Sequence, residues 1–319
     1  MNRRSSMLTK VEHYLAYRRN LGYQLRYDGQ LLRQFGAYAD DIKHRGPFTV
    51  ELALRWARLP ANGAPLYWAR RLEIVRCFAR YLAIFEPDTE IPGQQLLGPA
   101  HCRNVPHVYS DAEVSALLAG ARRLKPIDGL RPRTYTTLIG LLFCTGLRIS
   151  EALRLRSDNF DDRGGALIIR QTKFHKSRLV PLSPSALAAL RSYAQDRDRM
   201  APSGRTHHIF VSDGGTPLCY STVRGVFRKL VDSIPIRGRG ARSRPRIHDL
   251  RHTFACRRVQ SWYDAGWDVE QALPTLSAYL GHAKVSDTYW YLTATPELLD
   301  RAATRFEPFA GANHKGDHP

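Results

Sequence analysis

The stretch between Glu86 and His107 constrains this chain more than any other feature. Pro87, Pro92, Gly93, Gly98, Pro99 and Pro106 all fall inside it, and no regular element survives such a density of breakers. Elements on its two sides must therefore form separate bodies. Boundaries are expected at 1–86 for a first domain, 87–106 for a linker and 107–319 for a second domain, in keeping with a length of 319 residues. A hydrophobic share of 43% gives each body enough apolar surface for a core.

Upstream of the break the pattern is helical. Leu31, Phe35, Tyr38 and Ile42 share one face, as do Trp68, Leu72, Val75, Phe78, Leu82 and Phe85, and weaker patterns cover 11–21 and 50–59. A four-helix unit is predicted. Its last helix sets Arg70, Arg71, Arg76 and Arg80 among polar positions, where they either track a phosphate backbone or form a solvated face. Downstream, Ser110-Asp-Ala-Glu113 reads as a capping box opening a helix through Val114, Leu117 and Leu118. An apolar helix over 135–144 halts at Thr145-Gly146, and a new one restarts through Leu147 to Leu155, which sets Arg148 near a helix N-terminus. Two β-type runs, 166–170 and 178–182, flank a basic hairpin tip at 171–177. Helices are expected over 184–196, 221–233, 248–263, 269–280 and 286–291, so the fold class is mainly α with a small β-sheet.

Charge narrows the partner. With 48 Lys+Arg against 29 Asp+Glu the formal net charge is +19, and a chain this basic seeks polyanions. Nucleic acid is the usual one, although ribosomal and membrane-surface proteins share that balance. The longest apolar stretch, 138–147, is too short to span a bilayer and the first residues lack an apolar signal core, so no membrane partner and a cytoplasmic location are expected. The five cysteines are widely spaced without a C-x-x-C pair, which fits packing residues in a reducing compartment rather than disulfides or a zinc site.

His248-Asp-Leu-Arg-His252 follows an arginine-dense loop of Arg237, Arg239, Arg242, Arg244 and Arg246, a second candidate DNA-binding surface. On a helix, His248 neighbours Arg251 and His252, so imidazole and guanidinium can reach one site, and a guanidinium fork suits two phosphate oxygens. The histidine spacing also occurs in zinc peptidases, but Asp249 after the first histidine and the positive Arg251 argue against a metal. Arg148 at a helix start is repelled by the dipole unless a bound anion shares the site. Near the C-terminus, Gly281-His282 precedes Tyr289-Trp-Tyr291, and a tyrosine becomes a useful nucleophile only where cations stabilise its phenolate.

In order, T-G-L-R-I-S-E, T-K-F-H-K-S-R-L-V-P-L, H-D-L-R-H, L-G-H and a tyrosine nine positions beyond the last histidine resemble the tyrosine recombinases, the phage-integrase-type site-specific recombinases. The resemblance implies a helical core-binding domain and a mixed α/β catalytic domain that clamp duplex DNA. It also implies strand cleavage through a 3′-phosphotyrosyl intermediate, without cofactor or metal, in a tetramer of like or related recombinases on two double-stranded DNA sites. Position by position, it makes Arg148 and Arg251 the phosphate clamps, Lys173 the general acid on the departing 5′-oxygen, His248 an aid to proton transfer, His282 a phosphate hydrogen-bond donor and Tyr291 the nucleophile. Glu151 becomes a supporting acid. Tyr289 is expected to pack against neighbouring helices, its side chain pointing about 200° from that of Tyr291 on a helix.

Phe174-His175 replaces the small turn usual after the hairpin lysine, and the segment from His252 to Gly281 is long, departures that resemble transposon-borne members. The alternatives are a type IB topoisomerase-like relaxing enzyme, a catalytically silent DNA-binding regulator, and an RNA-binding protein. The first would lack strand exchange, the second would lack one of the motif residues, and the third would carry aromatic platforms on a sheet.

Overall fold

The computed structural model describes residues 6–101, 106–170, 177–201, 206–236, 244–282, 284–289 and 291. The chain falls into two compact units, 1–103 and 104–319, each mainly helical or wholly so.

Among the described residues of the first unit there are four helices: α1 (Met7–Asn20), α2 (Arg26–Asp41), α3 (Val50–Ala57) and α4 (Pro65–Leu82). Their starts follow from local chemistry. The Ser6 and Thr49 hydroxyls accept from backbone amides of the first turns of α1 and α3, and Pro65 opens α4 where a missing N–H costs nothing. Asp40, late in α2, accepts from the Met7 and Leu8 amides at 2.8 and 3.1 Å, which ties α1 to α2 through otherwise orphaned donors. Phe35, Phe48, Trp56 and Phe78 fill the centre, with Phe35 edge-on to Trp56 at 5.4 Å between ring centroids. Ile42 and Phe85 lie just past their helices and are exposed, because the helices end before the apolar pattern does.

The four arginines of α4 do not form one basic face. Arg71 is a correction to the expected row: it is buried, its guanidinium lies 3.6 Å from the Trp56 ring centroid, and Nη2 donates to the Trp56 carbonyl at 2.9 Å. Position 71 falls on the inward side of α4 beside Leu72 and Val75, so the charge is held within the unit. Arg70 pairs with Asp28 and Glu73, Arg76 Nε donates to the Pro92 carbonyl, and Arg80 is exposed.

The second unit runs α5 (Asp111–Arg122), α6 (Leu130–Thr145), α7 (Ile149–Ala152), β1 (Phe160–Asp161), β2 (Ala166–Ile169), β3 (Arg178–Pro181), α8 (Pro184–Met200), α9 (Tyr220–Asp232), α10 (Asp249–Asp264), α11 (Val269–Leu280) and α12 (Ser286–Tyr289). The capping box at Ser110 and Glu113 is present in both directions. The antiparallel sheet has the order β1-β2-β3, with Leu167 opposite Val180 and both buried against the helices. The two-residue β1 was not anticipated, being too short to show alternation. The helix expected over 147–155 contracts to the single turn α7, since Arg148 is still extended and Leu153 already leaves the helix.

Two cores divide this unit. The larger gathers α5, α6, α8, α9 and the sheet around residues such as Leu138, Leu142, Leu167 and Phe210, and the smaller joins α10 and α11 through Ala255, Val259, Leu273 and Leu280. Tyr291 belongs to the smaller one. Of the four described cysteines only Cys256 is buried, while Cys77, Cys144 and Cys219 are exposed, which corrects the reading of all as packing residues. No described helix is long and apolar enough to cross a membrane.

Candidate active site

The site is assembled around the carboxyl end of α11. That helix ends at Gly281, whose φ of +69° is the left-handed conformation that lets the chain turn out of a helix. Three arginines converge on its last carbonyls. Arg178 Nε donates to the Tyr279 carbonyl at 2.7 Å, Arg251 Nη2 to that of Leu280 at 2.7 Å and Arg148 Nη2 to that of Gly281 at 2.8 Å. Unsatisfied carbonyls and the negative end of the helix dipole favour cations here.

Each arginine arrives by a different route. Helix α6 stops at Gly146, with φ of +63°, where an added Cβ would lie 2.5 Å from the Phe254 ring. The glycine thereby lets α6 and α10 approach, and its carbonyl accepts from Arg251 Nη1 at 2.8 Å. Arg148 follows two residues later as the N-cap of α7, and Arg178 is the first residue of β3. Glu151 sits between the last two: Oε1 accepts from Arg148 Nη1 at 2.9 Å and from Arg178 Nη1 at 3.1 Å, while Oε2 accepts from Arg178 Nη2 at 2.8 Å. Burial alone would raise the Glu151 carboxyl, but the Arg178 and Arg148 charges outweigh it and hold the pKa at about 2.

His282 and Tyr291 lie beside this cluster. Their rings stack with centroids 6.0 Å apart, and the His252 ring approaches Tyr291 from another side at 5.6 Å. His248, the N-cap of α10, stands edge-on to His252 at 4.8 Å. His282 Nδ1 is hydrogen-bonded to the buried Thr288 hydroxyl at 2.8 Å. Tyr291 is only 2% exposed, whereas Tyr289 is 47% exposed. The expectation that Tyr289 packs inward is therefore overturned: position 291, not 289, packs onto α10.

Electrostatics in the cluster favour neutral imidazoles. Burial, then the charges of Arg251 and Arg148, lower His282 to about 4. Burial and the neighbouring His248 lower His252 to about 3. His248 opens to solvent on one side, yet protein crowding its ring and the nearby Arg251 and Arg246 bring it to about 4. Arg251 itself drops to about 10 through burial and the nearby Arg148 charge. Burial raises the Tyr291 phenol, and Arg251 pulls it back down.

Arg148, His248, Arg251, His282 and Tyr291 are thus neighbours, although they come from four separate segments. Lys173 lies outside the described residues, as do Arg237, Arg239 and Arg242 of the basic loop. Arg244 pairs with Asp232 at 3.4 Å, and Arg246 binds the buried Asp249 through Nη2 at 2.8 Å, so the described end of that loop is anchored to α9 and α10. Among the described residues no group of three or more His, Cys, Asp or Glu side chains is placed to hold a metal ion. Arg178 and Thr288 were missed by sequence reasoning. Arg178 stands 27 residues from Glu151, and only the repeated basic character of the hairpin hinted at it.

The model of the phage integrase family matches residues 109–297. The integrase/recombinase y4rB of Sinorhizobium fredii is 41% identical over 309 residues, covering 95% of this chain and 98% of that relative. The tyrosine recombinase XerD of Caulobacter vibrioides is 32% identical over 244 residues, covering 76% of this chain and 75% of XerD. Among solved structures, the Tn1549 transposon integrase in complex with transposon right end DNA superposes with a TM-score of 0.69 at 18% identity, covering 96% of this chain and 100% of that one. That likeness concerns the fold. The chain belongs to the phage integrase family and is an enzyme of site-specific DNA recombination, a tyrosine recombinase.

Proposed function

We propose that this recombinase exchanges strands of duplex DNA by two successive transesterifications at Tyr291. The phenolic oxygen attacks the scissile phosphorus as the bond to the 5′-oxygen breaks, leaving a 3′-phosphotyrosyl bond and a free 5′-hydroxyl. A 5′-hydroxyl from the partner duplex then attacks the phosphotyrosine, restores a phosphodiester and returns the phenol. Bond energy is conserved in the linkage, so no nucleotide is consumed.

The observation that carries this reading is the stacking of Tyr291 on His282 beside Arg251, at the helix end where Arg148 also converges. Negative charge on the phosphoryl oxygens grows as the phenol arrives, and preorganised guanidiniums and an imidazole stabilise it where they are desolvated. Arg148 and Arg251 bind the two non-bridging oxygens, the second ring nitrogen of His282 donates to one of them, and His248 assists removal of the phenolic proton. Lys173 protonates the departing oxygen. Arg80, Arg244 and Arg246, with the rest of the basic loop, add non-specific phosphate contacts.

The working assembly is a tetramer, of this chain alone or with a related recombinase, holding two DNA sites in the cytoplasm. A lambda integrase tetramer bound to a Holliday junction, with a TM-score of 0.57, supports that arrangement by analogy. The Tn1549 likeness points to movement of a transposable element. The test is incubation of the protein with a nicked copy of its recombination site in a chelator and without ATP. A covalent protein–DNA adduct that survives denaturation is expected, with loss of the adduct on Tyr291→Phe. Cleavage that needs a divalent ion would contradict the proposal, and relaxation of supercoils without exchange between two sites would favour a topoisomerase.

A further inference from the structure

Glu151 poses a problem for a phosphate clamp. It is 5% exposed, it is ionised at any working pH, and it lies against Arg148, the residue that must offer its guanidinium to the phosphate. A buried carboxylate with a single arginine partner draws two N–H groups of that guanidinium into a bidentate pair. Arg148 does not do this. Its guanidinium gives Glu151 only Nη1 and directs Nη2 to the Gly281 carbonyl, while its backbone N–H donates to Glu151 Oε2 at 3.0 Å.

Arg178 makes the difference. Its two terminal nitrogens span both Glu151 oxygens, at 3.1 and 2.8 Å, and its Nε is fixed by the Tyr279 carbonyl at 2.7 Å. The side chain of Arg178 is 12% exposed, so the fork is held in a desolvated place where such a pair is strong. Gly281 completes the seat: a Cβ there would lie 2.7 Å from Arg178 Nη1, so the guanidinium occupies the space a side chain would fill.

We propose that Arg178 is a positioning residue for strand cleavage. It occupies the Glu151 carboxylate and thereby keeps Arg148 available to the scissile phosphate. It touches neither DNA nor the reacting atoms, and acts through Glu151. The inference rests on the proposed role of Arg148 as a phosphate clamp.

The chemistry has a distinctive signature. In Arg178→Gln, Glu151 retains its charge and captures Arg148, so phosphate binding in the transition state suffers. Removing the captor as well, in Arg178→Gln with Glu151→Gln, releases Arg148 again. The second substitution therefore improves the first.

The experiment measures the single-turnover rate of covalent adduct formation on the nicked site, at saturating DNA, together with the Kd for the intact site. Circular dichroism fixes a temperature at which every variant is fully folded. Arg178→Gln is expected to slow adduct formation about 100-fold, the scale of losing one transition-state donor, with Kd within about 2-fold of wild type. Arg178→Lys, which keeps the charge but not the fork, should fall between the two. Adding Glu151→Gln to Arg178→Gln should recover about 10-fold of the rate, the size of coupling expected between residues in contact. A double variant no faster than Arg178→Gln would overturn the proposal, as would a rate deficit that disappears when all variants are fully folded. Arg148→Ala serves as the control for the underlying role: if it forms adduct at the wild-type rate, the clamp assignment itself fails, independently of Arg178.

Discussion

The imidazole of His282 is held at its Nδ1 by the hydroxyl of Thr288, 2.8 Å away, on the turn that leads to Tyr291. Thr288 is fully buried, so the bond has no competing water and joins the ring to α12. When the hydroxyl donates, the ring carries its proton on Nε2, the nitrogen left to meet a phosphate. Thr288→Val keeps the shape and removes the bond. The expected result is a loss of about 1 kcal/mol of stability and an adduct rate about 10-fold lower, read by thermal melts and single-turnover cleavage. Thr288→Ser should retain most of the rate.

The depressed imidazoles of the site make the DNA-free protein sensitive to acid. His248, His252 and His282 are depressed to about 4, 3 and 4 in the folded chain, below their value when unfolded. Between about pH 6.5 and those values the unfolded chain binds more protons, so stability falls as pH drops through this window and is intact above it. Melts from pH 7.5 to pH 4 should show that decline, and His252→Phe should flatten part of it. A bound phosphate opposes the effect by favouring protonated rings, so DNA should protect most strongly near the acid end.

Arg71 and Arg80 lie on one helix but should respond differently. Arg71 stacks on Trp56 and bonds its carbonyl, and Arg71→Ala should cost about 2–3 kcal/mol through a lost buried contact and an unpaired carbonyl. Arg80→Ala removes an exposed side chain, so stability should stay within about 0.5 kcal/mol while DNA affinity falls across sequences. Equal melting temperatures for the two variants would contradict the assignment of Arg71 to the core.

Gly146 links the fold to the chemistry. Its φ of +63° and the Phe254 ring 2.5 Å from any Cβ leave no room for a side chain, and its carbonyl holds Arg251. Gly146→Ala should lower stability by about 2–4 kcal/mol, from left-handed strain and overpacking together. Strand cleavage should fall further than folding alone explains, because Arg251 loses a fixed acceptor. Urea titration and adduct rates measured on the folded fraction separate the two effects.

Legibility in the sequence followed the range of the interactions involved. The helices of the first unit, the capping box at Ser110 and the turn at Gly146 depend on neighbours a few residues apart, and periodicity reports those directly. The short β-type run at 166–170 marked β2, whereas β1, with two residues, left no period to read. Arg178 escaped notice because its partners Glu151 and Tyr279 are distant in sequence, and no spacing rule announces a non-local ion pair. Arg71 looked polar on composition, yet its position on α4 turns inward and an aromatic ring receives its charge. Tyr289 and Tyr291 belong to an all-aromatic triplet, so local pattern could not say which one faces α10. The structure buries Tyr291, and that choice depends on His252 and His282 from other elements.

The identity of the tyrosine that joins DNA is the most direct question. The protein is to be trapped on a nicked recombination site and digested, and the peptide that carries the nucleotide residue mapped by mass spectrometry, in the wild type and in Tyr291→Phe and Tyr289→Phe. Burial of Tyr291 against His282, with Arg251 and Arg148 at hand, predicts the link on Tyr291, an adduct retained in Tyr289→Phe and none in Tyr291→Phe. An adduct that persists in Tyr291→Phe with the nucleotide on Tyr289 would contradict it.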